Sequence, residues 1–100
     1  MNIDKIDIVN NGIRLTIIPN ENKLIKKDNT TTITDEEIDT FFDIISTWKD
    51  NYYSSNGLDG NNYTVRIFHD HKIDTFKAIR KVPSNYNEFH NFVRTLNDRR

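Results

Sequence analysis

The sequence predicts a single small α+β domain over residues 1–100, with an antiparallel sheet of four or five strands, two helices on one face and the order β-β-(β)-α-β-β-α. Three observations predict it. Two parts of the chain alternate apolar and polar residues around turn residues, which is typical of hairpins. Two others carry apolar residues three and four positions apart, which is typical of helices. A chain of 100 residues has room for one hydrophobic core.

The first 33 residues are predicted to form strands. Apolar residues alternate with polar ones on either side of Asn10-Asn11-Gly12, and Asn-Gly accepts the positive φ angles of a tight hairpin turn. Residues 19–22, Pro-Asn-Glu-Asn, indicate a second turn. Residues 23–27 then predict a third strand at the edge of the sheet, where their lysines deter edge-to-edge pairing.

A helix is predicted to start after Thr34. Thr34 and Glu37 have the spacing of a capping box, in which the hydroxyl and the carboxylate each accept a backbone N–H. We expect this helix to end before Ser54, and residues 54–62 to form the longest loop, which is a candidate binding element. The apolar stripe of the helix is formed by Ile38, Phe41, Phe42 and Ile45, with Trp48 or Tyr52 beyond.

The second half of the chain is predicted to be another hairpin followed by a helix. Tyr63, Val65 and Ile67 alternate with polar residues, residues 69–72 form the turn, and residues 73–82 alternate again before Pro83 ends the strand. Asn85, three residues before Glu88, is predicted to cap a closing helix. The apolar stripe of that helix is Phe89, Phe92, Val93 and Leu96.

The composition excludes several classes of protein. Without cysteine the chain forms no disulfide, thiolate nucleophile or cysteine-ligated metal site. No stretch approaches the roughly 18 apolar residues of a membrane span, and the first residues lack the basic and apolar regions of a signal peptide, so we expect a cytoplasmic protein with no membrane partner. The excess of isoleucine and asparagine, 14 of each, over a single alanine suggests an AT-rich bacterial or phage genome.

Histidines are the only residues concentrated in the manner of metal ligands. His69 and His71 flank Asp70, with His90 as a third candidate ligand, but the second hairpin turns at residues 69–72 and polar residues are expected there in any case. The three glycines are isolated, so no phosphate-binding loop is formed. No nucleophile–base pair or carboxylate pair stands out. We therefore predict no catalytic residue, no metal, no cofactor and no enzymatic activity.

The acidic residues of the first helix are more informative than the net charge of −1. Asp35, Asp39 and Asp43 stand four residues apart, so they repel one another along one edge of the helix, and aspartate is a poor helix former. One interpretation is an acidic strip that docks on a basic protein surface or imitates phosphates in a nucleic-acid channel. The alternative is a solvated outer face that keeps the protein soluble.

Residues 72–100 carry seven basic and three acidic side chains, which raises the question of nucleic-acid binding. Lys77 and Arg80 fall on opposite faces of the predicted strand, so no single basic patch is expected and nucleic acid is not the expected partner. Tyr52 and Tyr53 are candidate anchors for a protein partner, because tyrosine is enriched at interface hot spots. The alternative is that one packs in the core and the other covers the helix end. Two helices on one face would leave the other face uncovered, so a homodimer through that face is also an expectation.

The order of elements resembles that of the emfourin family of small bacterial proteins. The matching features are the Thr34-Asp35-Glu36-Glu37 helix start, the Tyr52-Tyr53 pair, the strand over 63–67 and Pro83 before a final apolar helix. The chain departs from the family in lacking its Gly-rich first turn and in the register of the aromatic pair. Emfourin-like proteins inhibit thermolysin-type metalloproteases, so the resemblance implies protein binding rather than catalysis, and it assigns no inhibitory residue.

These observations predict a small non-catalytic protein-binding module, with inhibition of a protein target as one form of that function. The alternative is a phage-type acidic antagonist, an anti-CRISPR or anti-restriction factor, that blocks a nucleic-acid-binding groove of a host enzyme. The candidate binding residues are Asp35, Asp39, Asp43, Tyr52 and Tyr53.

Overall fold

The computed structural model of the protein describes residues 2–54 and 61–99. Of the loop predicted over 54–62, residues 55–60 therefore lie outside the described residues. The helices are α1 (Asp35–Ile45) and α2 (Tyr86–Asp98). The strands are β1 (Ile3–Asn10), β2 (Ile13–Ile18), β3 (Lys23–Ile25), β4 (Thr30–Thr32), β5 (Asn51–Tyr53), β6 (Asn62–His69) and β7 (Lys72–Ile79).

The seven strands form one sheet in the order β4-β3-β2-β1-β6-β7-β5. Neighbouring strands are antiparallel except β5 and β7, which are parallel. The predicted α+β class and the two helices are confirmed. The predicted sheet of four or five antiparallel strands is wrong, because β4 and β5 add a short strand at each edge and β5 makes the sheet mixed.

Strand β4 lacks the sequence pattern that reveals strands. It consists of three threonines, which suit a strand because they are β-branched but give no alternation of apolar and polar residues. The chain reverses before β4, where the Lys26 amide donates to the Asn29 carbonyl over 2.8 Å. Leu24 then pairs with Thr31. Strand β3 is therefore an inner strand and not the predicted edge.

Strand β5 occupies residues that the helical spacing had assigned to the first helix. Helix α1 ends at Ile45 because the next residue, Ser46, turns its hydroxyl back to the Asp43 carbonyl over 2.7 Å. The segment 51–53 is rich in tyrosine, which favours strands, and Tyr52 pairs with Ala78 of β7. The apolar stripe runs past the helix end because Trp48 is buried in the turn that follows.

Both predicted hairpin turns are confirmed. The central residues of the β1–β2 turn are Asn11 and Gly12, with φ angles of 48° and 87°. Those of the β6–β7 turn are Asp70 and His71, with φ angles of 48° and 63°. Positive φ at both central positions is the type I′ geometry, whose twist matches that of the flanking strands. Strand β7 ends at Ile79, before the predicted position 82, because Arg80 has a φ of 61° and leaves the extended region.

Helices α1 and α2 pack on the same face of the sheet, as predicted. That face carries the buried alternate residues of the central strands and receives the apolar stripes of both helices. An aromatic cluster joins the segment after α1, strand β6 and helix α2. The Trp48 ring stacks on Tyr63 at 4.5 Å between centroids and meets Phe89 edge-on at 4.9 Å. Such ring pairs add about 0.5–1.5 kcal/mol each beyond the area they bury.

A buried polar network fixes the start of α2 against the first hairpin. Asn10 is fully buried, its Oδ1 accepts from the Tyr86 hydroxyl over 2.8 Å, and its amide nitrogen lies 2.9 Å from Nδ1 of His90. The side-chain amide nitrogen of Asn11 donates to the same Tyr86 hydroxyl over 3.0 Å. Because the polar atoms of the Asn10 side chain have partners inside the protein, its burial does not carry the cost of an unpaired group.

The two ends of the helix pair are tied by different side chains. At one end the predicted capping box forms: the Thr34 hydroxyl accepts from the Glu37 amide, and Glu37 accepts from the Thr34 amide over 3.0 Å. Arg99, just after α2, donates to both carboxylate oxygens of Glu37 and to the Thr32 carbonyl. This hydrogen-bonded pair lowers the pKa of Glu37 to about 2.

At the other end of the helix pair, Asn85 links α1 to α2. Its side-chain nitrogen donates to the Ile44 carbonyl over 2.8 Å, and its oxygen accepts from the Trp48 indole over 2.7 Å. Asn85 is the N-cap residue of α2, as predicted, but its side chain makes no hydrogen bond to the α2 backbone. The residue secures the end of α1 instead.

Replacing Glu37 with glutamine tests the link to Arg99. Glutamine keeps the capping box, so we expect a loss of about 1–2 kcal/mol in the free energy of unfolding at pH 7, from the charge pair alone. The folded-state pKa of Glu37 lies below its ordinary value, so this contribution is complete above about pH 4.5 and disappears as the pH falls toward 2. Urea unfolding at pH 7, 4 and 2 measures it, with Glu36→Gln as control. A constant difference at all three pH values would contradict the assignment.

Candidate functional site

In the part of the chain that the structure describes, no element covers the sheet face opposite the helices, and we call this face the open face. It carries positions 5, 7 and 9 of β1, 14, 16 and 18 of β2, and 23 and 25 of β3. It continues with positions 64, 66 and 68 of β6, the odd positions 73–79 of β7, and 51 and 53 of β5. These residues are half-buried or exposed, whereas most of their neighbours along the central strands are buried. The open face is therefore available to a partner.

The open face is basic. Among its positions there is one acid, Asp7, and that carboxylate accepts from the Thr16 hydroxyl over 2.9 Å and lies 3.8 Å from the Lys5 ammonium. Five strands contribute one basic residue each. The five are Lys5, Arg14, Lys23, Arg66 and Lys77. Five bases against one acid give the face a net charge of +4, although the whole chain carries −1.

The expectation that no single basic patch forms is wrong, because five paired strands each bring one basic residue to the open face. Lys77 and Arg80 do not share a strand face, since β7 ends at Ile79 before Arg80. The patch arises from strand pairing instead: β1 lies beside β6, which is far from it in sequence. The sequence does contain one indication of the patch. Each basic residue alternates with the apolar residues of its own strand and therefore points to the opposite face of the sheet.

Exposed apolar side chains lie on the same face. The large hydrophobic residues that are exposed in the described part of the chain are Tyr53 at 66%, Ile73 at 56% and Ile79 at 45%. All three project from the open face, and Tyr53 is the register partner of Ile79. Tyr53 and Ile79 therefore form an exposed apolar pair, whereas Ile73 lies six positions away along β7, at a distance of about 20 Å. An exposed apolar patch within a polar surround is typical of interaction surfaces.

The two predicted tyrosine anchors point to opposite faces, because β5 is a strand rather than a helix end. Tyr52 packs against the core on the helix side, and its hydroxyl accepts from the Lys49 amide over 3.1 Å. Tyr53 lies on the open face. Of the pair, Tyr53 alone is placed to anchor a partner there, and Tyr52 serves the core.

The predicted acidic strip lies on the other side of the molecule. Asp35, Asp39 and Asp43 are all exposed on α1, and Asp35 accepts from the Asn22 side chain over 2.8 Å. Asp39 and Asp43 have no side-chain hydrogen bond or ion pair within residues 2–54 and 61–99. Of the five residues proposed as one set from the sequence, the three aspartates thus lie on α1, Tyr53 lies on the open face and Tyr52 packs against the core.

The histidines are used within the fold. His69 is buried at the end of β6 with Nε2 2.7 Å from Asp74, and this hydrogen bond raises the pKa of His69 against the opposing effect of burial. His71 occupies the exposed turn and His90 contacts Asn10. In the described ranges, no group of three or more His, Asp or Glu side chains is placed to hold a metal ion.

A shallow apolar groove of about 310 Å³ separates α1 from strands β6 and β7. Phe42 of α1 and Ser46 just after it line one side, and Phe76 and Asp74 of β7 line the other. Asp39, Phe42, Asp43 and Ser46 stand at i, i+3, i+4 and i+7, so the groove and the unpaired carboxylates of α1 share one helix surface.

Comparison with known proteins adds no further information. No protein-family model matches the chain, and neither a curated protein nor a solved structure matches it. The resemblance to the emfourin family therefore stays a prediction. Within the described residues, no helix is long and apolar enough to cross a membrane.

A pair of threonine substitutions tests the assignment of the two sheet faces. Ile79→Thr on the open face should change the free energy of unfolding by no more than about 0.5 kcal/mol, because threonine keeps the β-branched shape and little area is buried. Ile67→Thr on the helix face should cost about 2–4 kcal/mol, because it removes packed atoms and buries a hydroxyl. Thermal and urea unfolding measure both. Equal losses of unfolding free energy in the two variants would mean that the Ile79 side chain is covered in solution.

Proposed function

We propose that this protein is a non-catalytic binding module that holds a protein partner on the open face of its sheet, with inhibition of that partner as one form of the function. The observation that carries the proposal is the coincidence of Tyr53, Ile73 and Ile79 with the basic residues on one uncovered surface. Apolar anchors surrounded by polar and charged residues are the usual anatomy of a protein interface.

The dimensions of the open face suit this function. Strands β1, β6 and β7 have eight residues each and are about 26 Å long at about 3.3 Å per residue, and neighbouring strands lie about 4.8 Å apart. Strand β2 has six residues, and β3, β4 and β5 have three each. The projected area, on the order of 500 Å², increases when side-chain relief is included. A standard interface buries about 800 Å² on each partner. One partner of ordinary size would therefore cover most of this face.

The acidic strip supports a second candidate function. Asp39 and Asp43 have no partners among the described residues, and they share a helix surface with Phe42, which lines the apolar groove. This arrangement suits docking of α1 on a basic surface. In that function the protein is an acidic antagonist that occupies a nucleic-acid-binding groove of a host enzyme. The two candidates use opposite sides of the molecule, so variants on each side separate them.

The double variant Tyr53→Ala with Ile79→Thr tests the leading proposal. We expect it to lose the protein partner that the unaltered protein captures from a nuclease-treated bacterial lysate, because truncating an aromatic hot-spot residue costs about 2 kcal/mol or more of binding free energy. Recovery is measured by mass spectrometry after confirming by circular dichroism that the variant is folded. Undiminished capture by the double variant would refute binding through the open face.

The double variant Asp39→Lys with Asp43→Lys tests the second candidate. An acidic antagonist should lose its target completely in this variant, and its binding should weaken steeply with salt, because charges on exposed residues are screened within about 10 Å at 0.1 M. The same capture assay at low and moderate salt gives the result. If this variant retains the partner while the Tyr53 and Ile79 variant loses it, the acidic antagonist function is wrong.

A further inference from the structure

The basic residues of the open face form a diagonal track. Lys5 is diagonal to Arg66 across β1 and β6, and Arg66 is diagonal to Lys77 across β6 and β7. On β7 the next open-face position after Lys77 is Ile79, whose register partner on β5 is Tyr53. Three bases therefore lead directly to the exposed apolar pair.

We infer that the partner presents an extended acidic segment to this track, with acidic side chains at alternate positions followed by an apolar one. The inference rests on the proposed function and specifies the chemistry of its partner. Diagonal neighbours in a sheet lie about 7–8 Å apart, and alternate residues of an extended peptide lie about 6.5–7 Å apart. Successive acidic side chains would thus meet Lys5, Arg66 and Lys77, and the apolar residue would reach Ile79 and Tyr53.

Within the part of the chain that the structure describes, the protein itself compensates the charge of Lys5 but forms no ion pair with the other two bases of the track. Asp7, the one acid of the open face, accepts a hydrogen bond from the Thr16 hydroxyl, lies 3.8 Å from the Lys5 ammonium and is the register partner of Arg66. No ion pair is found for Arg66 or Lys77 within the described ranges. An opposite charge on the partner would therefore meet bases that are exposed, and complementary charge sets the orientation and the rate of association.

Single-stranded nucleic acid fits the same surface less well. Proteins that bind it combine basic grooves with aromatic side chains on which successive bases stack. Here Ile73 and Ile79 are aliphatic and offer no stacking surface. The ring of Phe68 is covered by the Lys5 ammonium at 4.5 Å from its centroid. Tyr53 is then the one ring left open among the open-face positions, so the apolar part of this surface matches aliphatic and aromatic side chains better than bases.

A second copy joined through the same face is also disfavoured by charge. Two open faces would bring a net +4 against a net +4, and like charges placed across an interface cost binding free energy. The homodimer expected from the sequence is therefore not the proposed complex, and the test below measures self-association separately.

The test uses the full chain and defined probes. The first probe is a fluorescein-labelled peptide that alternates glutamate with threonine over eight residues and ends in leucine and phenylalanine. The second replaces every glutamate with glutamine, and the third is a labelled twelve-nucleotide oligothymidylate. Fluorescence anisotropy at about 50 mM and about 500 mM salt measures binding, and sedimentation velocity of the protein alone measures self-association.

We expect the acidic peptide to bind about tenfold or more tightly than its glutamine counterpart, and to lose about tenfold in affinity at the higher salt concentration. Arg66→Glu and Lys77→Glu should each abolish this preference. Arg94→Glu, at an exposed position of α2, is the matched control and should leave it unchanged. Both charge reversals alter exposed positions. If one of the two variants fails to fold, the other still tests the inference.

Three results would overturn the inference. They are equal binding or no binding of the two peptides, tighter binding of oligothymidylate that Arg66→Glu removes, and self-association that Arg66→Glu removes. These results would leave the proposed function intact. A partner without an acidic segment would still be captured from the lysate, and its capture would still depend on Tyr53 and Ile79.

Discussion

The rest of this structure depends on the packing of α1 and α2 against the same face of the sheet. The cluster of Trp48, Tyr63 and Phe89 joins the segment after α1, strand β6 and α2. Glu37 with Arg99 and Asn85 with Ile44 hold the two ends of the antiparallel helix pair. Two helices, each about 10 Å wide, cover about 20 Å of a sheet whose seven strands span about 29 Å. Within the described chain no element is left to cover the second face.

This one-sided packing also separates the charges. The helices carry the exposed aspartates of α1, whereas the open face carries five basic residues and one acid. The net charge of −1 conceals a molecule with an acidic helical side and a basic sheet side. A charged partner would therefore approach one side in preference to the other. The exposed apolar residues lie on the basic side, which is why the leading proposal places the partner there.

The parts of the fold that were predicted from the sequence depend on local patterns. Asn11-Gly12 defines its turn through backbone conformation alone, and Thr34 with Glu37 defines a helix start through four neighbouring residues. The parts that were missed depend on distant residues. Strand β4 has no apolar residue, and β5 is a strand because Tyr52 pairs with Ala78, which lies in a segment remote from it.

The candidate surface was predictable to the same limited extent. Tyr53 was identified as an anchor from its residue type, but its separation from Tyr52 follows from the strand geometry of β5. The aspartates of α1 are exposed as expected. The basic patch required the register between β1, β6 and β7, which no single segment specifies.

Hydroxyl-radical footprinting of the protein, free and in complex with its captured partner, tests the central claim that the open face is the binding surface. Side-chain oxidation distinguishes the two faces of a strand, whereas backbone exchange does not. The account predicts protection of Tyr53, Ile73 and Ile79 in the complex, with unchanged oxidation of Phe42 on α1. Protection confined to Phe42 and its neighbours, with the open face still fully oxidised, would contradict it.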